Sequence, residues 1–177
     1  MRDVSPGNKT VDLQKLIRYL IEFVKNPIQG ISILPDWNWP SVLTIQILLA
    51  LASGVLAGLL KLNIYRLLYG LFLMPIVTTV SALLLTLFLY YYFQFFENRT
   101  ESYRKLFILI ILSSIPFYLF QIISEYFAPI TLIGFSFTTL LAIVGLCENF
   151  KVERKRAYII SGTLFLLVLV AWITNRN

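Results

Sequence analysis

The thirty residues from Leu67 to Phe96 include no Asp, Glu, Lys or Arg. An uncharged apolar run of ~18 or more residues is long enough to cross a bilayer, so this stretch sets the solvent in which the chain folds. It closes on Tyr90-Tyr91-Tyr92-Phe93-Gln94-Phe95-Phe96 and then breaks into Glu97-Asn98-Arg99. Aromatic clusters of that kind gather at a membrane–water boundary. At ~1.5 Å per residue the run exceeds a ~30 Å hydrocarbon core by roughly half. It must therefore tilt, kink at Pro75 or begin with an interfacial turn near Tyr69-Gly70.

The rest of the chain repeats the pattern. Charged residues make up 14% of its 177 positions and hydrophobic ones 58%, where an average soluble domain carries ~25% charge. Long apolar blocks alternate with short charged ones, the signature of membrane spans. Five spans are expected, at about 40–60, 67–96, 106–124, 127–146 and 157–174, each near the ~20 residues a crossing needs. Pro116 predicts a bend in the third, and Pro129 a first-turn start for the fourth. The expected fold is all-α: a polytopic membrane protein with five transmembrane helices, preceded by an amphipathic helix.

Ahead of the spans, residues 1–9 read as a disordered tail and 10–39 as a cytoplasmic or interfacial helical region. Thr10 is the expected N-cap, with Asp12 in the first turn. Leu13, Leu16, Ile17, Leu20, Ile21 and Val24 recur at helical spacing, and Gln14, Lys15, Arg18, Glu22 and Lys25 fill the other face. Such a helix either lies in the interface or packs under the bundle as a partner-binding element. Asn26-Pro27 ends it and starts a short helix over Ile28–Leu34, stopping before Pro35. Trp37 and Trp39 then mark the way into the bilayer.

Orientation follows from the cations. Arg2, Lys9, Lys15, Arg18 and Lys25, then Arg99, Arg104 and Lys105, then Lys151, Arg154, Lys155 and Arg156 fall on one side. Lys61, Arg66 and Arg176 fall on the other. The positive-inside rule places the N-terminus in the cytoplasm and the C-terminus outside or in a lumen. The same rule accounts for the net charge of +6 without invoking nucleic acid.

Reactive chemistry is sparse. There is no histidine, and the single cysteine, Cys147, makes neither an internal disulfide nor a metal set. No nucleophile–base pair, phosphate loop or acidic cluster is present, so no catalytic residue, cofactor or metal is expected. The sequons at Asn8 and Asn98 fall on the cytoplasmic side and read as chance. Cys147 is a palmitoylation candidate at the boundary, though a buried unmodified thiol is favoured.

Three features point toward surfaces instead. Ala50, Gly54, Ala57 and Gly58 form a small-residue face for close helix packing, within the bundle in preference to a homodimer. The segment Glu148–Arg156 reads as a loop holding Lys151, Arg154, Lys155 and Arg156 against the membrane. Together with Arg99, Arg104, Lys105, Lys15 and Arg18 these cations form a candidate site for anionic lipids or protein partners. Gln46, Gln94 and Gln121 read as neutral polar glue between helices.

The order of parts resembles the Yip-domain family, named for proteins that interact with Ypt/Rab GTPases and including many bacterial members. The shared features are a cytoplasmic N-terminal region, Asn26-Pro27 ahead of Trp and Pro, five close spans, Pro116 in the third, and Gly145-Leu146 ending the fourth. The resemblance covers about residues 20–174 and implies a polytopic scaffold that shapes membranes or recruits partners, in the inner membrane for a bacterial member. Eukaryotic members carry an Asp-Leu-Tyr-Gly-Pro-type motif before the first span. Leu34-Pro35-Asp36-Trp37 stands there instead, so Rab binding does not carry over. The competing expectation is a passive carrier or channel for a lipid-like or neutral solute. It requires a continuous cavity lined by Gln46, Gln94, Gln121, Ser113, Ser114 and the helix glycines.

Overall fold

The computed structural model describes residues 11–124, 126, 127 and 129–174, with the side chains of 171 and 172 set aside. The N-terminal tail, Thr10, Glu125 and Arg176 lie outside the described residues. Among those described, every regular element is a helix, and four helices are long and apolar enough to cross a membrane.

Helix α1 covers Leu13–Lys25 and α2 covers Pro27–Ser32. The start of α1 corrects the expected cap: Asp12 Oδ1 accepts the Lys15 N–H at 3.2 Å, so Asp12 is the cap and not a first-turn residue. Leu16 and Phe23 of α1 are buried, and Tyr19 and Leu20 pack beside them. Leu13, Ile17, Ile21 and Val24 form a separate exposed apolar stripe. At 100° per residue that stripe separates the packed face from the face carrying Arg18, Glu22 and Lys25.

Helix α3 (Trp39–Leu60) starts on Asn38, whose Oδ1 accepts the Ser41 N–H at 3.0 Å. After Lys61-Leu62-Asn63 the chain reverses into one continuous helical run, Ile64–Phe96. It comprises α4 (Ile64–Leu68), a π-helical turn (Tyr69–Leu73) and α5 (Met74–Phe96). The excess length predicted for this segment is real, and its irregularity falls in the turn just before Pro75. Proline has no N–H to return to Leu71, and the wider π-turn, closed by Met74 N–H to Tyr69 C=O, accommodates that loss. The same turn brings Gly70 against α3: a Cβ on Gly54 would lie 2.7 Å from Gly70 Cα, and one on Gly58 2.7 Å from Leu67 Cα.

The third span is two helices, α6 (Tyr103–Ser113) and α7 (Ile115–Ser124). They break at Ser114, two residues before Pro116, where Ser114 N–H still reaches the Ile110 carbonyl at 3.1 Å. Residues 106–113 of α6 are all buried, and a helix apolar all round belongs at the centre of a bundle. Helix α8 runs Ile130–Phe150, with Pro129 as its N-cap, and α9 runs Arg154–Thr174.

This corrects the reading of 148–156 as a loop. Glu148, Asn149 and Phe150 complete α8, Arg154–Arg156 open α9, and only 151–153 connect them. The turn is possible because Lys151 adopts a left-handed conformation (φ 52°), which lets Val152 N–H reach back to the Leu146 carbonyl at 3.3 Å.

Candidate functional site at the basic end of the bundle

Three connections meet at one end: the segment between α2 and α3, the 97–102 loop, and the 151–153 connector. Asn149 holds the first of them. Its Oδ1 accepts the Leu34 N–H at 3.0 Å, and its Nδ2 donates to the Ile31 carbonyl at 2.8 Å. Tyr19 donates to the Gly30 carbonyl at 3.2 Å and meets Trp37 edge-on at 4.8 Å. Burial pushes the Tyr19 hydroxyl up to about 12. Through these contacts the N-terminal helices are joined to the end of α8.

Arg99 holds the second connection. It donates to the Phe150 carbonyl, lies 4.9 Å above the Phe93 ring, and pairs with Glu101 at 3.4 Å. A guanidinium at the negative end of a helix is electrostatically well placed. Arg104 pairs with Asp36 at 2.6 Å, and Arg156 pairs with Glu97 at 2.8 Å. The Arg156 hydrogen bond holds the Glu97 carboxyl below its ordinary value, and Glu97 correspondingly raises Arg156.

The predicted surface cations therefore fall into two groups. Arg99, Arg104 and Arg156 tie elements of the end together, and Lys15 pairs locally with Asp12 at 3.2 Å. Arg18, Lys105, Lys151, Arg154 and Lys155 are exposed, and among the described residues no ion pair engages them. Lys105, Arg154 and Lys155 also sit in the first turns of α6 and α9, where the helix dipole disfavours positive charge. Helix stability does not account for those positions.

Of the small residues, Ala50, Gly54 and Gly58 are buried and Ala57 is half-buried. The glycines pack on the π-turn segment. Gln46 donates to the Tyr118 hydroxyl at 2.8 Å inside the bundle, Gln121 approaches Met74 Sδ at 4.0 Å, and Gln94 is exposed. Ser114 and Gln121 line a cleft between α5, α7 and α8, but Gln46, Gln94 and Ser113 do not. The five residues expected to share a passage are thus split among packing, surface and cleft. Cys147 is half-buried on α8.

The clamps were not apparent in the sequence. Asn149 reads as a loop residue until α8 is seen to extend past it, and the partners Asp36 and Glu97 lie dozens of positions from Arg104 and Arg156. No local spacing announces such pairs.

A Yip1 domain family model matches residues 28–174, from α2 through to the end of α9. The chain belongs to the Yip1 domain family. No curated protein and no solved structure matches it. Yip1-domain proteins are a non-enzymatic membrane family of the trafficking system, and this member is an integral multi-pass membrane protein. The matched region begins after α1, later than the residue 20 expected from layout, and it includes every element that closes the basic end apart from α1.

Proposed function

We propose that this Yip1-domain protein is a membrane organiser or partner-recruiting scaffold that works through its basic end. α9 serves as the fifth span, giving a cytoplasmic N-terminus and an external or lumenal C-terminus, in the inner membrane if the source is bacterial. The observation that carries this reading is the placement of Lys105, Arg154 and Lys155 at helix N-termini, against the dipole and without ion-pair partners among the described residues. A negatively charged membrane surface or partner accounts for such positions, since each cation near anionic lipid contributes ~1 kcal/mol. The unpaired apolar stripe of α1 beside a charged face suits a helix lying in the same interface. A second copy of the chain is a further candidate partner.

The test is charge reversal of the unpaired cations, Lys151→Glu, Arg154→Glu and Lys155→Glu together. The protein is held in neutral-lipid nanodiscs and titrated with vesicles containing anionic lipid. Association should weaken at least tenfold while insertion and thermal stability are kept. Undiminished association would overturn the proposal.

A further inference from the structure

We infer a lipid-binding site at the other end of the bundle, independent of the basic surface and of which side is cytoplasmic. Two cavities adjoin there. The outer one, about 420 Å³, is bounded by Gly54, Gly58, Asn63 and Arg66. The inner one, about 400 Å³, is a cleft between α5, α7 and α8, reached by Val168 of α9. Tyr69, Met74 and Gln121 belong to both walls. Each volume lies in the range of ~300–1,000 Å³ usual for ligand sites.

The cleft exists because the helices around it pack elsewhere. α5 lies close to α3 and α6, α7 lies on α3 and α8, and α9 lies on α8. The cleft wall is graded in polarity. Gln121 is within one turn of the end of α7, level with the outer cavity, whereas Ile110 and Leu85 lie deeper and are wholly apolar.

Two residues of this wall, Gln121 and Thr138, each carry a polar atom that is unaccounted for. Gln121 Oε1 and Thr138 Oγ1 are buried without a hydrogen-bond partner among the described residues. In hydrocarbon no water is present to satisfy them, and each such group is costly. Gln121 Oε1 can only accept, so it needs an N–H or O–H. Thr138, ~12 Å along α8 from its start, can donate to an ester carbonyl.

These features define the occupant as a glycerophospholipid of the leaflet opposite the basic end. Its headgroup sits in the outer cavity and supplies a donor to Gln121, its ester accepts from Thr138, and one acyl chain lies along α5 toward Leu85. A headgroup with ammonium or glycerol hydroxyl donors is preferred over choline, which has none.

The full chain in nanodiscs, photolysed with phospholipid probes carrying a diazirine on one acyl chain, tests this. Adducts from an ethanolamine or glycerol probe should concentrate on residues 77–85 and 110–121, at least fivefold above those from a choline probe. Ser81→Trp, or Thr138→Phe from the opposite wall should the first not fold, should remove them. Ile76→Trp, on an exposed face outside the cleft, should leave them unchanged. Gln121→Leu should erase the headgroup preference. Adducts spread evenly over the exposed helix faces, equal labelling by the choline probe, or a cross-link to a second copy through the cleft would each overturn the inference.

Discussion

Asn149 uses both ends of its amide, accepting from Leu34 and donating to Ile31 and to Gly145. Losing bonds that join separate segments and leaving buried partners unsatisfied costs ~1–3 kcal/mol. Asn149→Leu should therefore release α1 and α2 from the bundle. Limited proteolysis between residues 12 and 36 should speed up severalfold, while the spans stay intact. The Arg156–Glu97 pair gives a pH prediction. Because the Glu97 pKa is depressed in the folded protein, its contribution is fully present above the ordinary glutamate value. It is lost as pH falls through the depressed one. Thermal stability measured downward from pH 6 should show this acid loss, and Glu97→Gln should flatten that part of the profile. Tyr19 behaves in the opposite direction: its raised pKa keeps the α1 contact intact below about pH 10 and loses it toward about 12.

At the scale of elements, the close approach of α3 to the π-turn depends on Gly54 and Gly70. A side chain at either position meets the other helix's backbone, which cannot yield as a flexible side chain can. Gly70→Ala should lower stability by ~1–3 kcal/mol, read as a fall in melting temperature in detergent. Gly162→Ala, in open space on α9, should not lower it. The apolar runs were legible because a span needs length and lack of charge, and both are local properties. Burial was not legible. The most apolar 18-residue windows of the Ile64–Phe96 and Tyr103–Ser124 segments are nearly equal in hydropathy, yet 22% of the first window and 56% of the second is buried in the protein. Lipid and protein interior ask for the same side chains, so hydropathy does not separate a lipid-facing helix from a central one. The stretch that most clearly declares a membrane, 67–96, is the outermost of the two. The end of α8 escaped for another reason: Glu148 and Asn149 look like loop chemistry, and only the left-handed Lys151 marks the turn.

Across the whole molecule, the pairs Arg104–Asp36 and Arg156–Glu97 and the Arg99 contact with Phe150 gather the N-terminal segment and two connections at one end. The sequence placed these cations on one side by counting alone. It did not distinguish those that staple the end from those left to face outward, because that division depends on partners brought from afar by the fold. The central claim is that this end faces the cytoplasm and the turn at 61–63 faces the opposite side. It is tested most directly by single-cysteine labelling on a Cys147→Ser background, with Thr100→Cys, Glu153→Cys and Tyr65→Cys at exposed positions. An impermeant maleimide should label Tyr65→Cys in intact cells or right-side-out vesicles, and the other two only after permeabilisation. Labelling of Thr100→Cys and Glu153→Cys in sealed vesicles, or from different sides, would contradict the account.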